Sequence, residues 1–482
     1  MNLLLFPNNL YENKYLPKNI DTIYLLEDPV YFGERDIKMK FNKLKLMLHR
    51  SSMKYYEEYL KDKKYKVKYF DYKEIKTKSY NFLKKLKDIC FFELNDYFLK
   101  KKLLKYIKND HKILDNPNFL LKVSDLIEYQ ESKKIKNKFF HKNFYDFVKG
   151  KLDILVKTKS YDMDNRNTIP KGLKIPELPK DKKYKYEEEA KQYVEKLFPK
   201  NYGNTDNLIY PITHADSKRW FTDFLKKRFD KYGTYQDAIL EDNGFTFHSV
   251  ISPMMNSGLL NPDYIIDEAT EYFNKNKKKI GMNNYEGFVR QVIGWREYQR
   301  YCYLFAYDDL VSKNIFKHNR KLNSKWYNGT TGIKIIDDCI KFGFKYGYLH
   351  HIIRLMVMSN FMNLCNLKPI ECYKWFMEFA VDSYDWVMIQ NVYSMGQWSD
   401  GGLTMRKPYI SSDNYILNMS NYQKDEWCKI WKSLYYNFLS SHENELKKTP
   451  YIRNLSHWKK MSKKDQDEIL KLSKKTIKDL TK

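Results

Sequence analysis

The pattern that most restricts the fold lies at the N-terminus. Asn2–Phe6 and Thr22–Leu26 are short apolar runs separated by Pro- and Asn-rich turn residues, and Lys64–Tyr69 alternates Val and Tyr with Lys. Runs of this length and composition predict strands. Between the second and third lies Lys38–Leu60, with Phe41, Leu44, Leu48, Met53, Tyr56 and Leu60 near helical spacing. Strands joined through a helix pair in parallel, so the chain opens as an α/β unit. Glu27–Gly33 follows the second strand, where open α/β sheets bind ligands; a loop that only turns the chain satisfies the same residues.

From Ser79 to Lys138 the text is Lys-rich with Leu, Ile and Phe at helical spacings, broken by Asn116-Pro117. Met163–Lys183, with Pro170, Pro176 and Pro179, reads as an extended linker. Beyond Tyr210 helices dominate: Asp216–Tyr232, Pro262–Asn276, Tyr285–Phe305, Ile333–Tyr346, Gly347–Asn363, Lys368–Val381 and Lys424–Leu439. The expected fold class is α/β + all-α: an α/β domain over residues 1–135, connecting helices and a Pro/Lys-rich linker over 136–209, and a larger all-helical domain over 210–482. No internal repeat is visible, and the Lys-rich tail after Met461 reads as a solvated terminal helix.

Among 482 residues, 43% hydrophobic and 17% aromatic content excludes wholesale disorder. Lys and Arg number 87 against 60 acids, a net +27, which points to a polyanionic partner, nucleic acid before membrane. Lys, Asn and Tyr are abundant everywhere, as an AT-rich coding sequence makes them, and a solvated surface accounts for the same charge. Cys90, Cys302, Cys339, Cys365, Cys372 and Cys428 form no CxxC pair and no close Cys/His group, so reduced, intracellular thiols are expected. Met1–Phe6 is too short for a signal peptide and no 18-residue apolar run occurs, so neither export nor a membrane span is expected.

Within the helical part, Gly347–Phe361 is an apolar helix pattern carrying His350, His351 and Arg354. His350 and Arg354 are spaced i,i+4, so a guanidinium enters the interior and needs a partner or a bound anion. A ligand pocket supplies one; a core ion pair with hydrogen-bonded histidines supplies the other. Phe245–Pro253 runs through His248, Ser249 and Ser252 into Pro253, a setting that receives a phosphate or simply caps a helix. In Glu286–Tyr298, Arg290, Gln291 and Trp295 fall on adjoining faces, lining a pocket beside a planar ring or packing a Trp into the core. Val381–Asn391 places Asp382 and Asp385 among aromatics, where a carboxylate is usually paired, and Arg354 is the candidate partner.

Those segments, taken in chain order, resemble the cryptochrome/photolyase family, most closely its prokaryotic iron–sulfur branch, the (6-4) photolyase-like proteins. The resemblance also covers Leu25–Pro29, Tyr161–Asn167, Asn256–Leu260 and Gly396–Gly402. It implies an N-terminal Rossmann-like antenna domain and a helical domain holding FAD. His248, Ser249 and Ser252 would then face phosphates and ribityl chain, with Arg290, Gln291 and Trp295 flanking the cofactor. Arg354 would pair with Asp382 beside the isoalloxazine, and Asp385 and Asn391 would approach its polar edge. His350 and His351 would sit on the lesion side, one of them donating a proton. Trp375 matches a tryptophan of the electron path to the flavin, and Tyr327 stands where the branch has another Trp. UV-damaged DNA, flipped into the pocket and gripped by Lys and Arg, is the implied partner of an expected monomer. A ribityllumazine is the antenna that the branch suggests.

One departure stands out. The branch carries four cysteines for a four-iron cluster; here Ile335, Gln423 and Glu426 occupy three of those places and Cys428 falls near the fourth. One thiolate cannot hold a cluster, so none is expected, and Trp427, Trp431, Tyr435 and Phe438 should pack in its place. A light-driven repair enzyme is the favoured reading. A cryptochrome-like photoreceptor explains Tyr327 and the missing cysteines, and a nucleic-acid-binding protein with a decayed pocket is the third.

Overall fold

The computed structural model describes residues 1–107, 111–135, 138–180 and 183–482. Five parallel strands open it: β1 (Asn2–Leu5), β2 (Thr22–Leu26), β3 (Val67–Phe70), β4 (Ile89–Phe92) and β5 (His111–Leu114), in the order β3-β2-β1-β4-β5. Leu3 pairs with Ile23 on one side and Cys90 on the other, so the strand order reverses about β1. The three inner strands read as apolar runs because both sheet faces are covered, whereas Lys68 and Lys112 mark the edges.

β4 and β5 correct the reading of Ser79–Lys138 as helical spacings broken only at Asn116-Pro117. Each is only four residues long, Ile89–Phe92 wholly apolar and His111–Leu114 half polar, and so short a run cannot be told from a helix turn by periodicity. Residues 108–110 and 136–137, within that stretch, and 181–182, within the Pro-rich linker, lie outside the described residues. The described part of the linker holds one short turn of helix, Asp162–Asn165, and no strand.

The crossover helix Lys43–Asp62 begins later than the pattern from Lys38 suggests, because Asn42 caps it by accepting from Leu44 N at 2.9 Å. The same Asn42 side chain donates to Phe344 O and Phe379 O, both at 3.1 Å, which docks the α/β domain on the helical one. Nearby, Lys45 Nζ donates to Ser383 O at 2.6 Å and His49 Nε2 lies 2.9 Å from Tyr384 Oη. The segment after Val381 is therefore held from the N-terminal side.

The helical domain contains Met282–Val289 running through a π-helical segment, Arg290–Arg296, into Glu297–Ser312. Two further π segments are Ile353–Ser359, leading into Asn360–Leu364, and Ile389–Gly396, following Asp385–Met388. Gly347–Asn363 is not one helix. Gly347 at φ 65° ends Lys334–Tyr346, and a Cβ there would meet Val381 Cγ1 at 2.5 Å; helix resumes only at His351.

At the C-terminal end, Trp427, Trp431, Tyr435 and Phe438 are buried, with Trp431 centred 4.8 Å from Phe361. The terminal helix Lys463–Leu480 is solvated on its Lys face only: Ser473, Ile477 and Leu480 are buried, and Leu480 O accepts from Trp326 Nε1 at 2.8 Å. Among the described residues, no helix is long and apolar enough to cross a membrane.

Candidate cofactor site

The three π segments meet on one cavity of about 260 Å³. A π turn closes i→i+5 bonds, so side chains five apart come to one face. Gln291 and Arg296 both line the cavity for that reason, as do Arg354 and Ser359. π segments inside helices recur at functional sites.

Of the residues singled out from sequence, His248, Ser249, Ser252, Gln291, Trp295, His351, Arg354, Asp382 and Asn391 share this wall. Arg354 Nη2 lies 2.9 Å from Asp382 Oδ1, and Ser252 Oγ donates to Asp382 Oδ2 at 2.6 Å. The Ser252 hydroxyl is thus spent on orienting the carboxylate. Asn391 is fixed by Gln299 Nε2, which donates to its Oδ1 at 3.0 Å.

Arg290, Asp385 and His350 lie outside the lining. Arg290 turns to the other side of its π segment, donating to Ser160 Oγ at 2.8 Å and Asp162 Oδ1 at 3.0 Å. Asp385 accepts from Tyr303 Oη at 2.6 Å and from Tyr373, and Arg35 Nη2 lies 3.1 Å away. Arg35 also holds Asp96, so Asp385 belongs to an inter-domain ion network. His350 is fully buried behind the wall, stacked on His248 with ring centroids 4.5 Å apart at 12°, and neither of its ring nitrogens has a hydrogen-bond partner among the described residues.

The three histidines are lowered by their surroundings, as are the buried His49, His141, His214 and His318 elsewhere in the chain. Burial lowers His248 to about 4, and His351, whose side chain is open to the cavity, is lowered to about 4 by loss of bulk water in the cavity wall and by Arg354. His350 is pushed well below the usual value by burial and by the other two rings. All three are neutral near pH 7 in the free protein.

Sequence reasoning missed Arg296. Its guanidinium lies between Phe119 and Trp386, at 5.1 and 4.7 Å from their centroids. Nε donates to Asn118 O at 3.1 Å and Nη1 to Asn256 Oδ1 at 2.6 Å, while Nη2 is buried with no hydrogen-bond partner among the described residues. Burial lowers it to about 10, which leaves it charged at neutral pH. A buried cation with a free N–H on a cavity wall suits an anionic group. With Trp295, Phe376 and the aliphatic side chains of Val250, Leu349 and Ile352 around it, the cavity suits a ligand with a flat ring and an anionic end.

Behind Phe376, Trp375 is fully buried, its ring centroid 5.2 Å from that of Phe376 and 4.6 Å from that of Phe379. Tyr327 is half-buried further out and donates to Glu378 Oε2 at 2.8 Å. Among the described residues, no group of three or more His, Cys, Asp or Glu side chains is placed to hold a metal ion.

Residues 3–210 match the deoxyribodipyrimidine photo-lyase-related protein family, and residues 286–431 match the FAD binding domain of DNA photolyase. A (6-4) photolyase of Agrobacterium fabrum is 33% identical over 315 residues, 63% of this chain. The match spans 62% of that protein's length. An uncharacterized protein of Acanthamoeba polyphaga mimivirus is 54% identical over 123 residues, covering 25% of this chain and 98% of the viral protein. The crystal structure of a bacterial class III photolyase from Agrobacterium tumefaciens shares the fold, with a TM-score of 0.57 at 15% identity over 99% of this chain and 98% of that one. A parallel α/β domain, a helical domain built around one polar-and-aromatic cavity, and the two family matches along the chain together mean that it belongs to the cryptochrome/photolyase family.

Proposed function

We propose that this chain is a light-driven DNA repair enzyme that binds FAD in the cavity and splits UV-induced pyrimidine lesions, (6-4) photoproducts in preference to cyclobutane dimers. The observation that carries the reading is the Arg354–Asp382 pair on a wall that also holds His351 and the unpartnered Nη2 of Arg296. These residues fit the cofactor: Arg296 answers a diphosphate, the Trp295 and Phe376 surfaces answer a planar ring system, and Arg354 answers negative charge on it. The 33% identity to a (6-4) photolyase supports the lesion preference.

When bound and reduced, FAD supplies a light-driven electron to the lesion and takes it back. The chain's own residues do the rest. Arg354 favours negative charge near the ring and is held in register by Asp382, which Ser252 orients in turn. His351, exposed toward the cavity, is the proton donor; a DNA phosphate brought close would raise it from about 4 toward neutrality. The net +27 charge serves phosphate contacts, and flipping is cheaper for a damaged pair.

A ribityllumazine antenna in the α/β domain belongs to the same reading and rests on the family resemblance. The donor set for a four-iron cluster does not fit, since Ile335 is fully buried as an apolar side chain and Gln423 and Glu426 stand in two thiolate places. Tyr327 supports a second reading, a cryptochrome-like photoreceptor. The absorption spectrum of the purified, FAD-incubated protein tests the cofactor: structured flavin bands retained through gel filtration support it, and a spectrum without flavin would remove both readings.

A further inference from the structure

One aromatic chain leads away from the cavity and ends on a carboxylate that the proposed chemistry leaves unused. Phe376 lines the cavity and touches Trp375; Phe344 lies 6.1 Å from Trp375 and 6.1 Å from Tyr327. Trp375 Nε1 donates to Trp326 O at 2.8 Å, which ties it to the residue before Tyr327. Tyr327 then stacks on Tyr202, ring centroids 4.3 Å apart at 16°, and both rings are half-buried at the surface, with Lys40 Nζ 5.9 Å from the Tyr202 centroid. The Tyr327 hydroxyl points at Glu378, whose other oxygen accepts from Lys40 N at 2.7 Å. Glu378 is 1% exposed.

We infer that Tyr327 and Tyr202, with Glu378 as proton acceptor, form the surface end of an electron route that refills Trp375 after a photoexcited flavin has oxidised it. The inference rests on the flavin reading above. A tyrosine as the terminal donor poses a specific problem, because its oxidised form is strongly acidic and must shed the phenolic proton as the electron leaves. Glu378 lies within the reach a general base needs. Tyr327 passes one electron to the oxidised Trp375 and its proton moves to Glu378, leaving a neutral tyrosyl radical and a carboxylic acid. An external thiolate returns one electron, becoming a thiyl radical that goes on to disulfide, and Glu378 returns the proton. The stacked Tyr202 ring shares the hole and presents it to the thiol at the surface. Burial raises Glu378, which makes it the stronger base, and burial beside that carboxylate raises Tyr327, which keeps the phenol protonated until it is oxidised.

The test is blue-light reduction of bound FAD, followed by its absorbance with dithiothreitol, in wild type, Tyr327→Phe, Glu378→Gln and Tyr327→Trp, in H2O and D2O. Flavin content per chain is the control. Tyr327→Phe and Glu378→Gln should each slow photoreduction by about tenfold or more at unchanged flavin content, and wild type should be slower in D2O. Tyr327→Trp should restore the rate, remove the isotope effect and make the rate indifferent to Glu378→Gln, which a merely structural role for the hydroxyl would not do. Wild-type photoreduction by Tyr327→Phe, or an isotope effect that survives in Tyr327→Trp, would overturn the relay. Chemical reduction with dithionite bypasses it, so repair by dithionite-reduced variants separates the two readings. Variants that repair when chemically reduced but photoreduce like wild type refute only the relay, and a wild type that takes up no FAD refutes both.

Discussion

Arg354 reaches Asp382 across 28 residues of chain, with Nη2 at 2.9 Å from Oδ1 and 3.1 Å from Oδ2. The side chains are 13% and 7% exposed, so the pair is largely withdrawn from water, and removing one partner strands the other. Arg354→Ala should cost about 3 kcal/mol in chemical denaturation and lower the flavin content of the purified protein. Replacing both partners with apolar residues, Arg354→Met with Asp382→Leu, should recover stability and still not retain flavin. Full flavin content in either variant would show that the pair is structural only.

Arg296 and Arg290 are six residues apart and are predicted to differ sharply. Arg296→Gln removes the unpartnered N–H at the cavity and should weaken FAD affinity by about tenfold or more in a fluorescence titration of apoprotein. Arg290→Gln loses Ser160, Asp162 and the Glu286 carboxylate at 3.8 Å, none of them on the cavity lining, and should leave affinity within about twofold. Equal losses would mean that the ligand reaches the other side of the π segment.

The adjacent histidines should separate in the same way. His351→Ala is expected to keep its flavin and lose lesion repair by about a hundredfold, the scale of a lost proton donor. His350→Ala removes a buried ring stacked on His248 and should lower stability by about 3 kcal/mol, with repair reduced only as far as flavin is lost. Unimpaired repair in His351→Ala with flavin bound would end its assignment as donor.

Acid should open the site. His248 and His351 are lowered to about 4, and His350 lies well below its usual value, whereas in an opened chain each takes up a proton near 6.5. The closed state therefore binds fewer protons across that window, and its stability is lost as pH falls from about 6.5 toward about 4. Flavin fluorescence should rise over the same interval as cofactor is released. Retention unchanged down to about pH 4.5 would contradict this, and His248→Asn should flatten the profile.

The Arg354–Asp382 pair was legible because both charges sit in apolar text and must find partners. The strand–helix–strand opening was legible by period. β4 and β5 were not, since a strand of four residues, all apolar in Ile89–Phe92 and half polar in His111–Leu114, is too short to show a period. Arg296 escaped because an α-helical wheel turns it away from Gln291, and only the π segment brings residues five apart to one face. Asp385 is adjacent to the cavity residue Trp386 in sequence, yet Arg35 from the α/β domain claims it, a long-range contact that no local pattern announces.

Repair itself is the most direct test. FAD-loaded, dithionite-reduced protein is mixed with oligonucleotides carrying a single (6-4) photoproduct or a single cyclobutane dimer, with and without blue light, and restored pyrimidines are counted by chromatography. The account predicts restoration in the light only, faster for the (6-4) photoproduct. Flavin that stays bound while neither lesion is restored would contradict the repair enzyme and favour the photoreceptor.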